Sequence, residues 1–189
     1  MEVFPLNIPD VKLIKLRRHG DVRGFFSEIY NRAALADAGI RNEFVQDNLS
    51  MSSAIGTVRV LHFQIPPAAQ AKLVMVLCGR IFDVAVDCRK ASSSFGRHVA
   101  VELSAESWNQ LFVPIGFAHG FCTLQDDTTV LYKVTAPYEL DLDSGIFWND
   151  PDLNIAWPVP AEQAVVSDKD RRLPRFRDLA DHFSSMAAA

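Results

Sequence analysis

Two stretches of the chain concentrate side chains that could move protons or hold an anion. The first is Arg59-Val60-Leu61-His62-Phe63-Gln64-Ile65-Pro66-Pro67, which continues to Gln70 and Lys72. The second is Val113-Pro114-Ile115-Gly116-Phe117-Ala118-His119-Gly120-Phe121, where a proline and two glycines allow a sharp turn that presents His119. An imidazole titrates near pH ~6.5 and can take up a proton at neutral pH. Lys72 and Arg59 add cations, and Tyr132 adds a phenol at the rim of its strand. Each group also has a plainer reading: a hydrogen-bonded core histidine, a surface cation, a strand aromatic. Arg59 lies three residues from His62 and so faces the opposite side of a regular strand, unless a bulge resets the alternation.

A metal would need three or four converging His or carboxylate groups. The sequence has no His-x-His pair, and His19, His98 and His182 stand in contexts that read as exposed. Two isolated histidines make a poor metal site, and none is expected.

The elements that position these groups read as strands. Phe82, Val84 and Val86 alternate with Asp83, Ala85 and Asp87, which predicts a half-buried strand. Val99, Val101 and Leu103 alternate with His98, Ala100 and Glu102, and the run Thr128 to Thr135 has the same period. Turn signals separate the runs at Gly56, Pro66-Pro67, Gly79, Ser92-Ser93-Ser94, Pro114 with Gly116, and Gly120. This spacing predicts an all-β sandwich or jelly roll, whose inward side chains can surround a cavity. Helix is scarce. One is predicted over 32–38, with Asn31 as N-cap and Gly39 past its end, and a second near 175–183. A single domain over 1–189 is expected, with no repeat or linker and a fraying Met-Ala-Ala-Ala end.

Composition narrows the partners. A 189-residue chain that is 49% hydrophobic can bury one substantial core. A net charge of −4 supplies no basic field for nucleic acid or anionic membrane, so local cations must hold any anionic substrate. The start, Met1-Glu2-Val3-Phe4-Pro5, lacks the basic end and apolar run of a signal peptide, and no stretch approaches the ~20 apolar residues of a membrane span. Cys78, Cys88 and Cys122 have neither Cys-x-x-Cys spacing nor an even count, which predicts reduced thiols and a cytoplasmic protein. Asn48-Leu49-Ser50 fits a glycosylation acceptor pattern that has meaning only in a secreted chain.

Taken in order along nearly the whole length, the segments resemble the dTDP-4-dehydrorhamnose 3,5-epimerase family of metal-free cupins. The matching stretches are Asp21-Val22-Arg23-Gly24-Phe25-Phe26-Ser27-Glu28, Gln46-Asp47-Asn48-Leu49-Ser50, Arg59 to Lys72, Phe82 to Asp87, Pro114 to Phe121, Leu131 to Thr135, Trp148-Asn149-Asp150-Pro151 and Ser167-Asp168-Lys169-Asp170. The resemblance implies a cupin-type jelly roll with a few short helices and no cofactor. It implies proton abstraction beside a sugar 4-ketone by His62 and proton return from the opposite face by Tyr132. Lys72 would stabilise the enolate, and Asp170 would orient the imidazole, a role for which Asp83 is a second candidate. Arg59 and His119 would contact substrate. Arg23, Glu28, Gln46, Asn48, Tyr138 and Lys169 would hold the nucleotide of a dTDP-4-keto-6-deoxyhexose, with Arg23 and Glu28 reaching the partner's site in a homodimer.

Two positions depart from the family pattern. Val60 replaces a glycine and would add bulk beside Arg59, and Asp143, shorter than the glutamate it replaces, would lose a substrate contact or make it through water. Such changes could mark an epimerase that inverts only C3 or only C5, or acts on another nucleotide sugar. The remaining alternatives are a silent sugar-nucleotide-binding cupin and a metal-dependent one.

Overall fold

The computed structural model describes residues 1–183. In chain order the strands are β1 (Glu2–Pro5), β2 (Lys12–Lys15), β3 (His19–Asp21), β4 (Gly24–Phe26), β5 (Gln46–Ser52), β6 (Val58–Gln64), β7 (Lys72–Cys78), β8 (Arg80–Asp87), β9 (His98–Ser104), β10 (Asn109–Val113), β11 (Phe117–Thr123), β12 (Thr128–Val134) and β13 (Asp143–Ile146). One short helix, α1 (Arg32–Asp37), lies between β4 and β5. The strands form a six-stranded sheet, β1-β2-β10-β7-β12-β5, a five-stranded sheet, β13-β6-β11-β8-β9, and a β3-β4 hairpin. Every strand pairing is antiparallel. Two facing antiparallel sheets are the jelly-roll architecture of the cupins.

Alternation decides what lies between the sheets. On β7, Val74 and Val76 face inward with Lys72, and on β12, Val130 faces inward with Tyr132. Ile81 and Ala85 of β8, Phe117 and Phe121 of β11, and Val99 and Leu103 of β9 meet them from the other sheet and complete an apolar core. Toward one end this core gives way to polar side chains, and the space between the sheets opens into a cavity. The outer face of the five-stranded sheet is covered by the segment after β13, through Trp148, Leu153, Ile155, Leu179 and Phe183. α1 covers the other sheet, where Leu35 and Ile40 pack on Ile14, Leu73 and Phe112.

Several expectations hold. The side chain of Asn31 accepts from the Ala34 amide at 3.1 Å, capping α1, and Gly39 takes φ +82° just past its end. The runs 98–104 and 128–134 are strands with the expected faces. Two expectations are corrected. β8 is buried on both faces, because Phe82, Val84 and Val86 are covered by the C-terminal segment while Asp83 and Ala85 look into the sandwich. Residues 175–183 form only a 3₁₀ turn, Phe176–Asp178. Leu173, Phe176, Leu179 and Phe183 are drawn onto the five-stranded sheet, and the Phe176 amide donates to the Asp150 carboxylate at 2.7 Å instead of starting a helix. The Met-Ala-Ala-Ala end lies outside the described residues.

Candidate active site

The cavity has a volume of about 470 Å³, in the range that accommodates a small-molecule ligand. The six-stranded sheet supplies one wall: Lys72 from β7, Tyr132 from β12, and Gln46, Asn48 and Ser50 from alternate positions of β5. Tyr132 stands directly across the β5-β12 pairing from Asn48. The other wall carries Arg59, His62 and Gln64 from β6 and His119 from β11, while Tyr138, Asp143 and Asp170 close the mouth.

A bulge brings Arg59 and His62 to the same wall. His119 pairs with His62 and Phe121 pairs with Arg59, so Val60 and Leu61 together stand opposite the single residue Gly120. The extra residue resets the alternation of β6, turning both Arg59 and His62 toward the cavity. Gly120 permits it: a Cβ there would lie 2.7 Å from the Arg59 carbonyl oxygen and 2.8 Å from the Leu61 nitrogen. Arg59 then crosses to the opposite sheet, where its Nε donates to Ser52 Oγ at 3.3 Å and its Nη2 to the Met51 carbonyl at 3.1 Å.

His62 sits between two carboxylates. Its Nε2 lies 2.9 Å from Asp170 Oδ1 and its Nδ1 3.5 Å from Asp143 Oδ1. Burial pulls the imidazole pKa down, but the hydrogen bonds and charges of Asp143 and Asp170 outweigh it and hold the value above the ordinary one. Burial likewise raises the Asp143 carboxyl, yet His62 and Lys169 bring it down to about 2. Lys169 Nζ donates to Asp143 Oδ2 at 2.7 Å. Asp170 is also held below its usual range, the His62 contact overcoming its burial.

Lys72 is buried, contrary to its default reading as a surface cation. Its Nζ donates to the His62 carbonyl at 3.1 Å. Burial lowers its pKa to about 8, against the opposing pull of Asp143 and Asp83. Burial raises the Tyr132 phenol and keeps it protonated at neutral pH, although the nearby Arg59 charge acts the other way.

The structure separates the two candidates for orienting His62. Asp170 makes that contact, whereas Asp83 lies 2.6 Å from Nε2 of His119. Val60 is 1% exposed and belongs to the outer core, bordering the cavity without standing beside Arg59 on its face. Arg23 and Glu28 do not reach this chain's own cavity: Arg23 is exposed and paired with Asp21, and Glu28 accepts from Asn31 at 3.1 Å. Glutamines whose roles the sequence leaves unread hold the segment that carries Tyr138. Gln64 donates to the Pro137 carbonyl at 3.0 Å and accepts from the Glu139 amide at 2.6 Å, and Gln70 donates to the Ala136 carbonyl at 2.6 Å. Only the period-two relation of Gln64 to His62 hinted at this. Among the described residues, no group of three or more His, Cys, Asp or Glu side chains could hold a metal ion. No helix among them is long and apolar enough to cross a membrane.

Two antiparallel sheets around a cavity that pairs a carboxylate-held histidine with a protonated tyrosine define a cupin-like fold equipped for acid–base chemistry. The profile of the dTDP-4-dehydrorhamnose 3,5-epimerase family matches residues 5–178, and the chain belongs to that family. A dTDP-4-dehydrorhamnose 3,5-epimerase of Sinorhizobium fredii is 50% identical over 182 residues, 94% of this chain and 91% of that protein. The crystal structure of the enzyme of that name from Bacillus anthracis, with TDP and PPi bound, superposes with TM-score 0.89 at 50% identity, covering 92% of this chain and 98% of that one. The Legionella pneumophila dTDP-6-deoxy-D-glucose-3,5-epimerase in complex with dTDP-4-keto-L-rhamnose gives TM-score 0.90 at 39% identity, covering 95% of this chain and 94% of that one.

Proposed function

We propose that the chain epimerises a nucleotide-linked 4-keto-6-deoxyhexose at C3 and C5, converting dTDP-4-dehydro-6-deoxy-D-glucose to dTDP-4-dehydro-L-rhamnose. The observation that carries the reading is the placement of His62 and Tyr132 on opposite walls of one cavity, with Asp170 at Nε2 of the histidine. Protons at C3 and C5 flank the ketone and are acidic because the resulting carbanion delocalises into the carbonyl. With Nε2 held by Asp170, the neutral imidazole of His62 takes the C–H proton, and the bond's electrons pass to the C4 oxygen as an enolate. The Lys72 ammonium stabilises that oxyanion. Tyr132 delivers its phenolic proton to the other face of the carbon, inverting it. The proton on His62 passes to solvent and Tyr132 regains one before the second carbon reacts.

Arg59 and His119 contact the sugar ring and its carbonyl, while Gln46, Asn48, Tyr138, Asp143 and Lys169 line the path to the nucleotide. Arg23 and Glu28 serve the site of a second copy. A homodimer is supported by the absence of Arg23 from the lining of its own cavity and by the exposed apolar residues Val22, Phe25, Phe26, Leu49 and Met51 on the hairpin and the outer face of β5. The chain works as one unit in the cytoplasm, without a cofactor.

The test is incubation with dTDP-4-keto-6-deoxy-D-glucose in deuterium oxide, followed by NMR. Deuterium appears at C3 and C5 and is absent with His62→Ala. Label at a single carbon would replace the double inversion by a single one, and no label at all would refute the epimerase.

A further inference from the structure

Asp83 is fully buried in the middle of β8 and sits behind His119 without bordering the cavity. One oxygen, Oδ1, lies 2.6 Å from His119 Nε2. The other, Oδ2, is buried and accepts a hydrogen bond from no described residue. A buried carboxylate with an unsatisfied oxygen is costly. Replacing it with an apolar residue would remove that cost, unless the charge is needed where it stands.

We propose that Asp83 is a positioning residue for two groups of the site, fixing the ring of His119 toward the cavity and keeping the Lys72 ammonium charged for the enolate. The first part follows from geometry. With Nε2 committed to the carboxylate, Nδ1 is the only ring nitrogen left to a ligand, and the ring plane is set by a short bond to a rigid, doubly paired strand. The second part follows from Lys72's surroundings. Its Nζ donates to the His62 carbonyl, it lines the cavity with Arg59 and His62 from β6, His119 from β11, Tyr132 from β12, Asp143 from β13 and Asp170, and the charge of Asp83 on β8 reaches it. Of these, the carboxylates that pull toward the charged form are Asp143 and Asp83. Asp143 is already engaged by Lys169 and His62, whereas the second oxygen of Asp83 is unengaged. Burial has brought the lysine to about 8, so losing a carboxylate that favours its charged form moves it further toward the neutral amine.

This inference rests on the epimerase reading for its kinetic arm, and a second arm is independent of turnover. Asp83→Asn keeps the side chain's shape and removes its charge. The alkaline limb of kcat moves to lower pH, so that kcat at pH 8.5 falls roughly ten-fold or more relative to wild type. In Lys72→Arg, whose guanidinium stays charged, the alkaline limb is absent and adding Asp83→Asn does not bring it back. Histidine 15N NMR provides the independent arm: the His119 Nε2 proton resonance is present in wild type and shifts or broadens in Asp83→Asn. An alkaline limb unchanged in Asp83→Asn overturns the Lys72 part, and an unchanged His119 resonance overturns the ring-orienting part. A wild type without turnover would refute the epimerase reading while the NMR still judged Asp83. Should Asp83→Asn fail to fold, His119→Gln removes the oriented ring but keeps the carboxylate, and its alkaline limb stays at or above the wild-type position; a limb moved to lower pH refutes the proposal.

Discussion

The bulge in β6 makes Gly120→Ala a sharp test of how the site is built. The added Cβ would lie 2.7 Å from the Arg59 carbonyl oxygen, 2.8 Å from the Leu61 nitrogen and 2.8 Å from the Val60 carbonyl carbon. All three are backbone atoms, so no rotamer change relieves the contact, and β6 and β11 must separate or the bulge must reorganise. Overpacking of a closed interior costs about 1–3 kcal/mol, and contact with backbone on three atoms places this change at the upper end. For a chain of this size each kcal/mol lowers Tm by roughly 2–4 °C, which predicts a loss of roughly 6–12 °C. Activity falls further than stability, because Arg59 and His62 flank the displaced backbone and a shift near 1 Å is worth about 10²-fold. The assay is a thermal melt beside turnover of the 4-ketosugar. Gly20→Ala is the control: its Cβ would find only an ordinary 3.6 Å contact on the exposed hairpin, and Tm should stay within about 2 °C. A Gly120→Ala protein with unchanged Tm and full activity would refute the argument that the bulge depends on the missing side chain.

Four further outcomes are expected. The dependence of kcat/KM on pH is bell-shaped: the base must be neutral, so the acid limb lies above 6.5 because the His62 pKa is raised, and loss of the Lys72 charge sets the alkaline limb near 8. Asp143→Asn removes a carboxylate that raises the His62 pKa, so the acid limb moves to lower pH, and a stationary limb would count against that contact. Tyr132→Phe lowers epimerisation by ~10²- to 10⁴-fold yet still exchanges substrate protons with deuterium oxide on the His62 face, with configuration retained; NMR separates exchange from inversion. Leu49→Asp with Met51→Asp puts charge on the exposed face of β5, and sedimentation should report monomer where the unaltered protein is expected to run as the proposed dimer.

Local signals in the chain were legible and long-range ones were not. Asn31, the apolar spacing of α1 and Gly39 announce a helix because capping involves residues only a few positions apart. The strands β9 and β12 could be read because one face of each is buried and the period of two survives. The bulge could not, since it depends on β6 meeting Gly120 on another strand. A three-residue spacing therefore looked like opposite faces although both side chains point into one cavity. Asp83 and Asp170 were equivalent in sequence as partners for His62, and the choice is made by β8 lying against β11 rather than against β6. The burial of Lys72 was hidden because one lysine at the start of an apolar run reads as a strand end. The segment 175–183 misled because its apolar residues are claimed by a sheet assembled from distant parts of the chain.

β5 has a consequence for how concentration affects the protein. Among the described residues it is the last strand of its sheet and pairs only with β12. Gln46, Asn48 and Ser50 look into the cavity, while Leu49 and Met51, 66% and 56% exposed, look out toward the surface assigned to a second copy. Ordering of this strand by one neighbour lowers the entropic cost of engaging the other, so the two equilibria are thermodynamically linked. Sugar nucleotide should tighten self-association, and dilution toward the monomer should weaken the apparent affinity for the nucleotide by the same factor.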